Sequence, residues 1–448
     1  MSDWSMRLSD SLATTEPLAK VFSDGSMVQA MLDFEAALAR VQGRLGLIPQ
    51  PAAEAIGKQA RAEVFAAEEL ARQTLRAGTP GIPLVKALTE RVRAADPAAA
   101  GFVHWGATSQ DVADTALILL LKKAQTLLAA DHSRLLEALG NLSDQHRDTV
   151  MVGRTLLQPA PPITLGLKAA GWLAATRRGW ERLTTAFEES MLVQFGGASG
   201  TLAALGEQGI AVGRALAEEL GLGYPEAPWH AHRDRLAALV AACGVQTGSL
   251  GKMARDISLL MQAEVGEAAE QGGPDRGGSS TMPHKRNPVA CSLTLAAAHR
   301  VPGLVAAFLS AMVQEHERGV GGWQAEWPTV AGVIQATGLA AASMAEAAET
   351  LRVDAARMRA NTEAAGGAIF AERAMMMLAA AIGRDAAHGL VEQAARQSAA
   401  QGRRLAEVLG EMPEVTRHLR PDQLRELESP QAYLGMAHTF RTRLKGPA

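Results

Sequence analysis

The sequence predicts an all-α protein, and three observations carry that prediction. Aromatic residues are only 4% of the 448 positions, and alanine and leucine, the residues that cost least to place in a helix, are abundant within the 48% hydrophobic fraction. Alternating β-branched patterns are nearly absent. Apolar positions recur instead every three or four residues, over stretches far longer than the average helix of about 11–12 residues.

The elements follow in order. The first helix reads as 26–45, capped by Asp24 or Ser23 and closed by Gly46 before Pro49. From Pro51 to Pro97 the chain is broken often, with Gly78-Thr79-Pro80-Gly81 and Pro83 punctuating short helices. Beyond Asp111 come five long stretches, at 111–147, 162–189, 230–269, 288–318 and 329–358. The third shows the period best: Leu236, Val240, Cys243, Thr247, Leu250, Ala254, Ile257 and Met261 form one stripe. We therefore expect an N-terminal helical domain over 1–111, a central five-helix bundle over 112–360 and a C-terminal helical domain over 361–448. A single five-helix layer cannot bury every stripe, so some should continue across a subunit interface. No repeat of 20–50 residues supports a solenoid.

Composition narrows the function. Lys and Arg number 44 against 47 Asp and Glu, a net charge of −3 that argues against a nucleic-acid partner held by a broad basic face. Cys243 and Cys291 are too few for a disulfide framework, which points to a reducing compartment. The N-terminus lacks an apolar leader core, and no later unbroken apolar run, 116–121 among them, approaches the ~18 residues a membrane span needs. A soluble, cytoplasmic protein with no membrane partner is the expectation.

Three segments interrupt the helices. His104-Trp105-Gly106-Ala107-Thr108-Ser109-Gln110-Asp111 precedes a long helix, and Thr108 or Ser109 reads as its N-cap. The same N–H groups and hydroxyls would also suit a carboxylate. In 153–166, Pro159, Pro161 and Pro162 force an extended approach to the next helix. The third segment, 272–288, is a Gly- and Pro-rich loop carrying Ser279, Ser280, His284, Lys285, Arg286 and Asn287. Polar loops of that length often close over substrates. It contains no phosphate-binding G-x-x-x-x-G-K-[ST] pattern. His230 and His232 lie two apart and share no helix face, and no C-x-x-C or H-E-x-x-H exists. Nothing in these residues asks for a metal or an organic cofactor.

The third segment, in its spelling G-S-S-T-M-P-H-K-R-N-P, resembles the signature loop of the fumarase/aspartase superfamily. Residues 104–115 resemble that family's H-x-G-x-T-S-x-D-x-x-D-T segment, and 153–166 its G-R-T-H-x-Q-x-A-x-P-x-T-x-G segment. The resemblance implies three helical domains, a twenty-helix core formed by a homotetramer, and active sites built from three subunits. It makes Ser279, or failing that Ser280, the group that exchanges a proton with the carbon beside a carboxylate. Lys285 and Asn287 would hold that carboxylate as negative charge grows, with Met282 in the same loop contacting substrate. Thr108, Ser109 and Gln158 would grip it elsewhere, and His104 stands where adenylosuccinate lyases have a functional His.

Two departures are informative. The family's His after G-R-T is Leu156 here, and its partner Glu, five residues after the loop Asn, is Ser292. That dyad moves a proton on water or an amine. A reaction without it needs a nucleophile already ionised at neutral pH, such as a carboxylate with a pKa of ~4. The family's lactonizing branch uses one: it adds a carboxylate of 3-carboxy-cis,cis-muconate across that molecule's own double bond, in the protocatechuate route of aromatic breakdown. The runs 317–327 and 229–235 resemble that branch's E-R-x-x-G-x-W-Q-A-E-W and W-H-x-x-R-D-R segments. Trp327 replaces an Arg that adenylosuccinate lyases use for a nucleotide phosphate. Arg233, Lys285 and Arg318 would suit a tricarboxylate, although Arg233 and Arg235 could equally pair with Asp234. The alternatives are a lyase releasing fumarate from a succinyl adduct, with His104 replacing the missing His, and a non-catalytic family member. The intact polar loop argues against the second.

Overall fold

The computed structural model describes residues 8–271, 277–278, 282 and 285–446, and among them helices predominate. We label the elements that position the site: α1 (Asp24–Arg44), α2 (Ser109–Gln145), β1 (Val150–Thr155), β2 (Gln158–Thr164), α3 (Leu165–Ser190), α4 (Asp234–Leu260), α5 (Val289–Ala311) and α6 (Gly322–Thr350). The chain divides into two compact units: Met1–Ser133, Arg178–Gly251 and Leu293–Ser343 in the first, Arg134–Arg177, Lys252–Ser292 and Met344–Ala448 in the second.

In the first unit, α1 begins at the Ser23 cap, whose hydroxyl accepts the Ser26 N–H, and stops at Leu45 before the left-handed Gly46. It buries Phe34, Leu38 and Val41 against Ile56, Leu84, Leu88, Val212 and Leu216. The stripe on α4 is buried as its period requires: Leu236, Val240, Cys243, Thr247 and Leu250 are all at or below 1% exposure.

In the second unit, β1 and β2 form an antiparallel hairpin with a shift in register between Val152 and Gly153. A side chain at Gly153 would lie 2.4 Å from the Pro161 carbonyl, so only glycine fits there. The sheet has two strands, hence two edges, and an edge accommodates Pro159, Pro161 and Pro162. The extended approach expected at these prolines is thus a strand. Its two-residue tip, Leu156 and Leu157, has φ +50° and +65°, the signs of a type I′ turn, which usually takes Asn-Gly. A left-handed non-glycine residue costs about 1–2 kcal/mol. The C-terminal helices Ala371–Ile382 and Arg384–Gln401 pack as a pair around Phe370, Leu378, Val391, Leu409 and Leu427.

Two expectations need correction. The third long helix ends at Leu260, and the chain then forms a short strand, Ala268–Ala269, paired with Arg352–Val353, so the fifth ends at Thr350. Membrane-length apolar helices are also present: α5 and α6 are long and apolar enough, by length and composition, to cross a bilayer. Counting unbroken runs missed them because Thr294, His299 and Arg300 in α5, or Gln335 and Thr337 in α6, interrupt segments whose mean stays apolar. The apolar window of α6 is 72% buried, that of α5 only 28%. Ala296, Gly303, Ala306, Ala307 and Leu309 of α5 are exposed.

Candidate active site

Within the first unit, one carboxylate organises the N-terminus of α2. Asp111 accepts N–H bonds from Thr108 (3.1 Å), Gly196 (3.0 Å) and Gly197 (2.9 Å), and its Oδ1 lies 2.7 Å from His230 Nε2. It is wholly buried, as a carboxylate can be when its lone pairs are satisfied. Thr108 and Ser109 are half-buried beside it at the start of the helix. Arg318 donates to the carbonyls of Gly197 (2.9 Å) and Ala198 (3.1 Å), which ties it to the same loop. His104 has φ +61°, and its Nδ1 is 2.6 Å from Oε1 of Glu35, a residue 1% exposed on α1. Burial pulls the imidazole pKa down, but the charge and hydrogen bond of Glu35, with Asp111 behind, raise it above its ordinary value.

One helical turn along α2, Asp114 lies at the centre of a buried ionic cluster. Arg233 clamps it through both terminal nitrogens (2.8 and 3.0 Å), and Trp323 Nε1 and Gln110 Nε2 also donate to it. The other edge of the Arg233 guanidinium binds Glu326 at 2.6–3.1 Å, and its plane lies 4.7 Å over the Trp229 ring. This revises the sequence expectation for Arg233. Its side chain has 0% exposure and its donors are committed to two carboxylates, so it holds the fold of the site rather than a substrate. Nor is Asp234 the partner of Arg235, which pairs with Glu226. Burial pushes Glu326 up to about 6, whereas Asp114, also buried, is held below the usual carboxylate range by Arg233. Trp327 meets Trp323 edge-on and lines an apolar groove of about 530 Å³ with Met27, Met31 and Leu70. None of the described residues lining it is a cation that could hold a phosphate.

The other candidates lie in the second unit. Gln158 is exposed at the hairpin end, paired with Thr155. Arg154 of the same hairpin makes a two-pronged pair with buried Glu267 (2.6 and 2.9 Å). Met282 and Lys285 are exposed, and the Lys285 N–H donates to the Met282 carbonyl (3.0 Å). The Asn287 N–H donates to Gly277 (2.8 Å) and so closes the base of the loop. Ser279 and Ser280 lie outside the described residues. Glu270 accepts the N–H groups of Ala290 and Cys291, capping α5.

Three residues of the site escaped sequence reading. In the sequence Asp111 reads only as the end of the 104–111 segment, His230 only as half of a discounted metal pair, and Glu35 not at all. A signal for Glu35 existed: it and Gln42 lie seven apart inside the apolar stripe of α1, where a polar side chain must have a partner. Gln42 donates to the Trp105 carbonyl (2.8 Å), so α1 grips both residues of the His104–Trp105 turn.

The chain as a whole is similar to known proteins. A family described as Lyase matches residues 11–303, and one described as Adenylosuccinate lyase C-terminus matches 367–444. A 3-carboxy-cis,cis-muconate cycloisomerase of Pseudomonas aeruginosa is 49% identical over 97% of this chain and 95% of its own length. A nitrosuccinate lyase of Streptomyces davaonensis is 43% identical, covering 94% of this chain and 90% of that one. The crystal structure of 3-carboxy-cis,cis-muconate lactonizing enzyme from Pseudomonas putida superposes with a TM-score of 0.93 at 45% identity, covering 98% of both chains.

Proposed function

Because the chain belongs to the fumarase/aspartase superfamily of lyases, we propose that it is a cycloisomerase closing 3-carboxy-cis,cis-muconate to 4-carboxymuconolactone, a step of the protocatechuate (β-ketoadipate) route. One substrate carboxylate adds to a double bond of the same molecule. A carbon–oxygen bond forms, the neighbouring carbon takes a proton, and nothing leaves. Relatives of this activity at 46–49% identity over nearly the whole chain support the reading over a succinyl-adduct lyase.

The observation that carries it is the chemistry at the two positions of the missing dyad. Leu156 is 96% exposed at the hairpin tip, and Ser292 donates its hydroxyl to the Pro288 carbonyl at 2.7 Å. Neither can activate water or an amine. A carboxylate nucleophile, ionised at neutral pH and tethered to its target, needs no such help. In this reading Ser279 or Ser280 delivers the proton, and Lys285 and Asn287 stabilise the enolate-like charge. Thr108, Ser109, Gln158, Met282 and Arg318 position the remaining carboxylates. We take the enzyme to be a soluble, cytoplasmic homotetramer with active sites shared between subunits; the exposed apolar face of α5 supports that assembly.

The test follows diene absorbance with purified protein and 3-carboxy-cis,cis-muconate, with Ser279→Ala and Ser280→Ala alongside. Loss of the diene signal in wild type, abolished in one variant, is the expected result. A persistent diene with fumarate released from a succinyl adduct such as nitrosuccinate would overturn the proposal.

A further inference from the structure

Glu35 and His104 form a buried histidine–carboxylate pair, distinct from that of Asp111 and His230, in a chain whose sequence lacks the family's dyad. Glu35 is 1% exposed, and its Oε1 is 2.6 Å from His104 Nδ1. Its Oε2 is buried and has no hydrogen-bond partner. A carboxylate so placed needs a counter-charge, because an isolated buried anion is far too costly to keep. The groups facing His104 are both acidic, Glu35 from α1 and Asp111 from α2. Among the described residues no basic side chain bonds to Glu35 other than His104 itself. The backbone is committed as well. His104 is held at φ +61°, a conformation uncommon for a non-glycine residue, with the Trp105 carbonyl pinned by Gln42. Nδ1 is thereby turned to Glu35. Nε2 has no hydrogen-bond partner among the described residues, and the side chain keeps 19% exposure.

We propose that Glu35 is a positioning residue that keeps His104 a charged imidazolium at neutral pH, so that its Nε2–H binds one of the carboxylates of the anionic substrate. The pair is thus an anion clamp, not the general base that the missing dyad would have supplied. The raised imidazole pKa agrees in direction: the charge persists above the ordinary value near 6.5 and is lost only as pH rises through the folded value. The inference rests on the cycloisomerase reading for the identity of the anion, though not for the charge state.

Two measurements on the full-length enzyme test it. The first follows 13Cε1-histidine NMR signals against pH, with His104→Asn to assign the resonance; Asn tolerates the left-handed backbone. Wild-type His104 should remain protonated above pH 7, and Glu35→Gln should let it titrate at or below the ordinary value, because burial then acts against Asp111 alone. The second follows KM for 3-carboxy-cis,cis-muconate. An ordinary histidine is protonated in only ~3% of molecules at pH 8. KM of Glu35→Gln should therefore rise at least on the order of tenfold between pH 6 and pH 8, with kcat little changed and a smaller rise in wild type. His104→Asn should show the high KM already at pH 6, which serves if Glu35→Gln fails to fold. Titration of wild-type His104 at its ordinary value, or loss of kcat at constant KM, would overturn the proposal. A wild type that leaves the diene intact removes the cycloisomerase reading instead, and the NMR result still decides the charge state.

Discussion

Replacing Arg233 with methionine separates a structural cation from a substrate-binding one. The guanidinium makes two bonds to Asp114 and three contacts to Glu326, all between 2.6 and 3.1 Å, with both carboxylates at 1% exposure. Methionine roughly preserves the volume but leaves two buried acids facing each other. Breaking a buried pair from one side costs about 3–5 kcal/mol. Glu326, already pushed up to about 6 by burial, would then hold its proton through neutral pH. Asp114 would keep the Trp323 and Gln110 donors. At about 2 °C per kcal/mol for a unit of this size, the melting temperature should fall by roughly 6–10 °C. Thermal unfolding followed by circular dichroism measures the fall, and steady-state kinetics well below the transition should find KM within about twofold of wild type. An unchanged melting temperature with a large rise in KM would refute this reasoning, because the side chain would then be serving the substrate.

Other perturbations have equally specific outcomes. His132, stacked on Trp180 at 4.3 Å, donates through Nδ1 to the Leu128 carbonyl, and burial lowers its pKa to about 4. Its folded value lies below the unfolded one, so its contribution is complete above pH 6.5 and is lost as pH falls toward 4. Stability should drop by about 3 kcal/mol across that window, and denaturant titrations of His132→Gln should lack that part of the slope. Gly179→Ala would put a methyl 1.7 Å from Gln246 Oε1, on a buried side chain bonded to His132. Despite about 1 kcal/mol gained in helix propensity, urea unfolding should show a net loss of about 1–3 kcal/mol. Leu309→Asp on the exposed face of α5 should leave the fold intact by circular dichroism but lower the mass seen in sedimentation; unchanged mass would remove that face from the interface.

The long helices were legible because a 3.6-residue period sustained over about six to ten turns has no competing explanation. Their ends were less so: the break after Leu260 depends on a two-residue strand pairing with Arg352 and Val353, a contact between distant segments. The hairpin tip was illegible for a different reason. Leu156 and Leu157 carry none of the Gly or Asn chemistry that announces a type I′ turn, so the register of β1 and β2 alone imposes it. Arg233 shows a third limit, since a cation in a motif looks the same whether it faces a ligand or a carboxylate 93 or 119 positions away. The loop candidates Lys285 and Asn287 were legible only through their motif; their roles remain part of the proposed function.

Asp111 has a consequence for how this scaffold can change over evolutionary time. It binds two of its partners, Gly196 and Gly197, through backbone amides, and those bonds survive any change in the side chains that follow. Ala198 and Ser199 are exposed just beyond that anchor, and Ala198 meets Arg318 through its carbonyl alone. The loop is thus a fixed rail with exchangeable fittings. New side chains can be tried at 198 and 199 without renegotiating the position of the rail, so the surface presented there can drift while the frame beneath it stays constant.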